Sequence, residues 1–139
     1  MKNKLKPSAP KLLALQKVLN PNGLMVIAEG LKNIPFEIKR VFIIKAGNGD
    51  VRGLHAHREC SQLLICSDGE VEIRCTDGEW EKIFLLNEPS TALLIPSGIW
   101  AQQTYLQQSN TLTVLCDLPY DEDDYIRDFE QYLKEKVCD

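Results

Sequence analysis

The chain has 139 residues, 44% of them apolar and 26% charged, which fits one globular domain with a real core. Its formal net charge of −4 argues against a generic nucleic-acid binder, and no apolar run approaches the length that spans a bilayer. The five cysteines, at positions 60, 66, 75, 116 and 138, show no CxxC spacing and fit a reduced, cytoplasmic protein whose buried thiols act as small hydrophobes.

Residues 1–22 are lysine-rich with three prolines and read as a loose arm, with room for a short helix over residues 11–18. No apolar signal core follows the basic run at 1–6. A single folded domain is expected over residues 23–139. Gly23 to Ala28 predicts a first strand, Ile34-Pro35-Phe36 a turn, and Arg40-Val41-Phe42-Ile43-Ile44 a firmer strand. Ala46-Gly47-Asn48-Gly49-Asp50 then turns the chain into Arg52-Gly53-Leu54-His55-Ala56-His57, which holds both of its histidines. Strand alternation puts His55 and His57 on one face and Leu54 and Ala56 on the other. Two imidazoles aimed into one cavity serve either a metal or proton transfer near neutral pH. The blander alternative is two unrelated histidines on an exposed strand.

Beyond this point the pattern is all-β. Ser61 to Cys66 is an apolar run ended by Asp68-Gly69, and Glu70 to Thr76 alternates strictly, with Val71, Ile73 and Cys75 on one face. Asp77-Gly78 predicts a two-residue hairpin turn before Trp80 to Leu86. Ser90 to Ile95, Trp100 to Leu106 and Thr111 to Cys116 complete a sandwich or barrel. At the end of the chain, Asp121 to Asp124 precede Tyr125, Ile126, Phe129, Tyr132, Leu133 and Val137 at helical spacing. That pattern predicts an acid-capped helix over residues 122–137, packed on the barrel or on a partner subunit. The four acids read there as caps and solvated charge rather than as a catalytic pair.

Gly53, His55-x-His57, Gln62 and Gly69 resemble the first signature of the cupin superfamily, which runs Gly, His-x-His, Glu, Gly. Pro96-Ser97-Gly98 before Trp100-Ala101 resembles the second, in which a histidine follows. At two of the four positions that usually hold metal, this chain has Gln62 and Ala101. An amide is a poor ligand for a transition metal and alanine is none, so the expectation is a cupin jelly roll with a C-terminal helix and no metal.

Three further segments sharpen the resemblance. Ile34-Pro35-Phe36-Glu37-Ile38-Lys39-Arg40-Val41-Phe42, the histidine strand, and Tyr120-Asp121-Glu122-Asp123-Asp124-Tyr125-Ile126-Arg127 are similar to the dTDP-4-keto-6-deoxyglucose 3,4-ketoisomerases. That resemblance implies a cofactor-free jelly-roll homodimer acting on a dTDP-linked 4-keto-6-deoxyhexose. The pathway it implies makes 3-amino-3,6-dideoxysugars for surface polysaccharide such as the O-antigen of lipopolysaccharide. Carried over by position, His55 and His57 are the catalytic pair, with His57 the better candidate for the base. Arg52 suits the pyrophosphate, Gln62 faces the same cavity, and Trp100 is a candidate for its mouth. Many members carry a histidine where this chain has Ala101, so the group for the second proton transfer and the C4 stereochemistry stay open. Two other readings stay open as well: a non-catalytic cupin that binds a nucleotide sugar, and a nucleotide-sugar epimerase on the same fold.

Overall fold

The computed structural model describes residues 7–137; the basic run at 1–6 and Cys138 lie outside them. Twelve strands and one helix follow in order: β1 (Lys11–Ala14), β2 (Gln16–Asn20), β3 (Gly23–Ile27), β4 (Arg40–Ala46), β5 (Val51–His57), β6 (Gln62–Asp68), β7 (Val71–Thr76), β8 (Glu81–Leu86), β9 (Thr91–Ile95), β10 (Trp100–Tyr105), β11 (Asn110–Cys116), β12 (Tyr125–Ile126) and α1 (Phe129–Val137). Two five-stranded antiparallel sheets, ordered β1-β9-β6-β11-β4 and β12-β5-β10-β7-β8, face each other as a jelly roll. The core between them is made by alternate residues of both sheets, among them Leu64 and Cys66 of β6, Val71, Ile73 and Cys75 of β7, and Leu112, Val114 and Cys116 of β11. Burying every second residue is what a period-2 sequence pattern accomplishes in a sandwich.

Each outer face also has a cover. Residues of the 26–38 segment pack with Leu63, Leu94 and Leu115 on the first sheet. On the second sheet, Tyr132 and Leu133 of α1 close over Ala56, Trp100 and Ile126. These covers leave one end of the barrel to the histidine strand and to the segment running into β12.

Three expectations are corrected. Residues 11–20 form neither a loose arm nor a helix. Lys11 to Ala14 pairs with Leu94 to Thr91, and Asn20 pairs with Gly23 to close a hairpin of β2 and β3. The free edge of β9 satisfies the β1 backbone, and alternation sends Leu13 and Leu15 inward, so tertiary pairing overrides local helix propensity. Asp77-Gly78 is not a two-residue turn, because Thr76 pairs with Glu81 and leaves residues 77–80 in the loop. There the Asp77 carboxylate accepts from the amides of Glu79 and Trp80, which holds the wider turn. The helix expected over 122–137 is broken in two. Asp121 caps a single 3₁₀ turn, Glu122–Asp124, the chain then extends as β12, and Asp128 accepts from the Glu130 amide to start α1.

Candidate active site

The barrel interior narrows to a cavity lined by His55, His57, Cys60, Gln62, Ala101 and Gln103, with Leu64, Ile95, Pro96 and Ile99 behind them. The two imidazoles stand edge to face at 5.0 Å between ring centroids, on the same side of β5. A bulge aims them. Ala101 is opposite His55 but Gln102 is opposite Gly53, so Leu54 is an extra residue in the strand. Gly53 and Leu54 both take left-handed backbone, at φ 82° and 60°. A Cβ on Gly53 would also stand 3.1 Å from the Ala101 carbonyl oxygen, so glycine is the residue this position admits without strain.

The environment lowers both rings from the usual imidazole value. Burial, then the neighbouring His57, lowers His55 from the usual imidazole value to about 4. Burial also lowers His57, opposed by its hydrogen bond to Asp124 and by that carboxylate's charge. His57 Nδ1 lies 2.9 Å from Asp124 Oδ2, while His57 Nε2 and His55 Nδ1 are buried with no hydrogen-bond partner among the described residues. Asp124 also accepts from the backbone amides of Glu59 and Cys60, at 2.6 and 3.3 Å. Tyr125 places its ring 4.3 Å from His57 and 5.1 Å from His55. Its hydroxyl accepts from Arg40 Nη2 at 3.2 Å.

Beneath the histidines, Cys116 Sγ accepts from Gln62 Nε2 at 3.4 Å and from Arg40 Nη2 at 3.5 Å. These bonds, after one from Cys60, pull the Cys116 thiol below its usual range. Among the described residues no carboxylate pairs with Arg40, and its Nε is buried without a partner.

Of the residues expected from sequence, His55, His57 and Gln62 converge on one cavity, and Ala101 lines it where a histidine would intrude. Trp100 does not converge. It is buried on the outer face against Phe129 and Tyr132, because alternation along β10 gives Ala101 the inner side. Arg52 is exposed on β5, outside the cavity lining. Sequence reasoning missed Asp124, Tyr125, Arg40 and Cys60. Asp124 in particular, read as a cap, reaches His57 on β5 instead.

The residues do not fit the metal of a typical cupin. Gln62 turns an N–H toward sulfur, and Ala101 has no ligand atom. His57, Cys60 and Asp124 do bring one possible ligand atom each within 4.8 Å, but His57 Nδ1 and Asp124 Oδ2 are bonded to each other. The fold and site therefore define a cupin whose two imidazoles line one cavity side by side.

Comparison with known proteins narrows that class. The family described as FdtA, WxcM-like, C-terminal, matches residues 8–137, and the chain belongs to it. A curated relative, the TDP-4-oxo-6-deoxy-alpha-D-glucose-3,4-oxoisomerase of Aneurinibacillus thermoaerophilus, is 33% identical over 125 residues, covering 89% of this chain and 90% of its own. A 3,4-ketoisomerase from Helicobacter canadensis superposes with a TM-score of 0.89 at 36% identity, over 93% of this chain and 98% of its own. A sugar 3,4-ketoisomerase from Thermoanaerobacterium thermosaccharolyticum, solved with TDP, also gives 0.89 at 36% identity, over 92% and 94%.

Proposed function

We propose that this chain moves the keto group of a dTDP-linked 4-keto-6-deoxyhexose between C4 and C3, through an enediol, in the cavity of His55 and His57. The observation that carries the reading is the pair of imidazoles in one cavity, each with a buried ring nitrogen that has no partner among the described residues, in a chain 33% identical to a 3,4-oxoisomerase. The C3 proton beside the C4 carbonyl is weakly acidic, and a positioned base removes it. His57 Nε2 is that base, and the resulting imidazolium returns a proton at C4. His55 stands edge-on beside it and relays the C3 hydroxyl proton to the C4 oxygen, which balances the move of the carbonyl. Arg40, whose charge is felt at His57, stabilises the enediolate. One base acting on one face needs no second acid, which accounts for Ala101.

Arg52 is proposed to meet the diphosphate and Gln62 to orient the pair from below. The product is a precursor of 3-amino-3,6-dideoxysugars for surface polysaccharide, including lipopolysaccharide O-antigen, made in the cytoplasm by a homodimer. Support for the dimer comes from the hairpin of β2 and β3, where Leu19 is 77% and Met25 55% exposed. Exposed apolar side chains together on one hairpin favour burial against a second copy.

Ala101 favours one other reading, a nucleotide-sugar-binding cupin without turnover. Incubation with dTDP-4-keto-6-deoxyglucose in EDTA, followed by NMR of the sugar, separates the two. A 3-keto product is expected. Tight binding with unchanged sugar would establish the binding module, and a 4-keto epimer would establish an epimerase.

A further inference from the structure

We infer that Asp124 is a positioning residue of the proton-transfer site: it holds the proton of His57 on Nδ1 and so leaves the Nε2 lone pair facing the cavity. This rests on the ketoisomerase reading and extends it to a residue 67 positions along the chain from its partner. The geometry is over-determined. Asp124 is 10% and His57 7% exposed at the side chain, and the two meet at 2.9 Å. The carboxylate is itself fixed by the amides of Glu59 and Cys60. An ionised carboxylate only accepts, so the nitrogen facing it carries the proton. The other nitrogen, Nε2, is buried and has no partner among the described residues. A buried lone pair without a donor is costly unless a ligand supplies the proton to be taken.

The same segment couples the chain's end to this arrangement. Tyr125 pairs with His57 in the β12–β5 ladder, and the Arg58 amide donates to the Asp124 carbonyl. Arg58 then clamps the segment from outside, donating to the carbonyls of Asp123 and Tyr125 and to both oxygens of Glu135 on α1. The charge therefore reaches the base on a braced backbone.

Asp124→Asn removes this control, because its amide NH2 cannot accept. With the Asn oxygen kept by the Glu59 amide, the NH2 faces His57 Nδ1. His57 then accepts there and carries its proton on Nε2, the wrong tautomer for a base. By the logic of the buried aspartate in a catalytic triad, turnover should fall about 10²- to 10⁴-fold with little change in KM. The groups facing His57 are Asp124, His55, Tyr125, Cys60, Arg40 and Arg127. Of these, Asp124 is the anion bonded to the ring. Its loss should move the acid limb of the rate profile to lower pH.

The test is nitrogen-15 NMR of the imidazoles, which are only two in the chain and are assigned with His55→Asn. It is paired with kinetics of Asp124→Asn and Asp124→Glu. The expected result is Nδ1–H at His57 in the unmodified protein, Nε2–H in Asp124→Asn, and a return of Nδ1–H with part of the rate in Asp124→Glu. Finding Nε2–H at His57 in the unmodified protein overturns the inference whether or not the asparagine variant folds. So does an asparagine variant that melts earlier while its surviving activity keeps the original tautomer and acid limb. An unmodified protein that leaves the 4-keto sugar unchanged would count against the ketoisomerase reading, and the tautomer would still decide the part of Asp124.

Discussion

At the residue scale, the two buried histidines make stability depend on acid. His55 has a folded value of about 4 against an unfolded value near 6.5. Between those values the unfolded chain binds the extra proton, so stability rises with pH in that window. The stability is fully present above about 6.5 and is lost as pH falls toward 4. His57, also lowered, adds in the same direction. Urea unfolding at pH 4.5 and 7.0 should show a loss on the order of 2 kcal/mol at the lower pH, and replacement of His55 by asparagine should remove much of that slope. The pairing of these histidines was legible in sequence because a strand's period of two is robust to everything but a bulge. The bulge at Leu54 precedes both and leaves their alternation intact. Asp124 was not legible. Within a run of four acids nothing local says which one leaves the helix cap, and the answer depends on a strand pairing far away in sequence.

At the scale of elements, the C-terminal segment does two jobs that its sequence merges into one helical pattern. Tyr125 and Ile126 satisfy helical spacing, yet the open edge of β5 takes their backbone, so the helix begins only at Phe129. Residues 11–14 show the same competition on the other sheet, where the edge of β9 takes β1, and residues 16–18 pair with β3 instead. An edge strand's unpaired backbone groups are a property of the folded sheet, which explains why local patterning missed both. Among the described residues, α1 is anchored by Tyr132, which is 1% exposed and donates from its hydroxyl to the Gly98 carbonyl at 2.7 Å. Tyr132→Phe should cost about 1–2 kcal/mol in chemical denaturation, since it leaves that carbonyl without its donor in a dry contact. An unchanged midpoint would mean that solvent reaches the helix interface.

At the scale of the whole molecule, the jelly roll supplies a rigid cup, and its two covered faces leave function to one end. The sandwich was readable from strand spacing and turn residues, and the family from motifs in order. The covering of each face by distant segments was not, because it depends on which apolar patch the closed barrel exposes. Among the apolar side chains the single chain leaves exposed are Leu19, Leu24 and Met25 of the β2–β3 hairpin and Val41 and Ile43 of the edge strand β4. Light scattering should give twice the chain mass of 15.8 kDa, and aspartate at Leu19 and Met25 together should shift the protein toward monomer. A monomer at micromolar concentration in the unaltered chain would count against the dimer.

The central claim is that the His55–His57 pair carries the proton between C3 and C4. Turnover of dTDP-4-keto-6-deoxyglucose by His57→Asn and His55→Asn, followed by NMR of the sugar, tests it most directly. Asparagine keeps polarity and approximate size while removing the base. His57→Asn should lower turnover by about two to four orders of magnitude, and His55→Asn should impair it too, with nucleotide binding retained in both. Full activity in both variants would contradict the account.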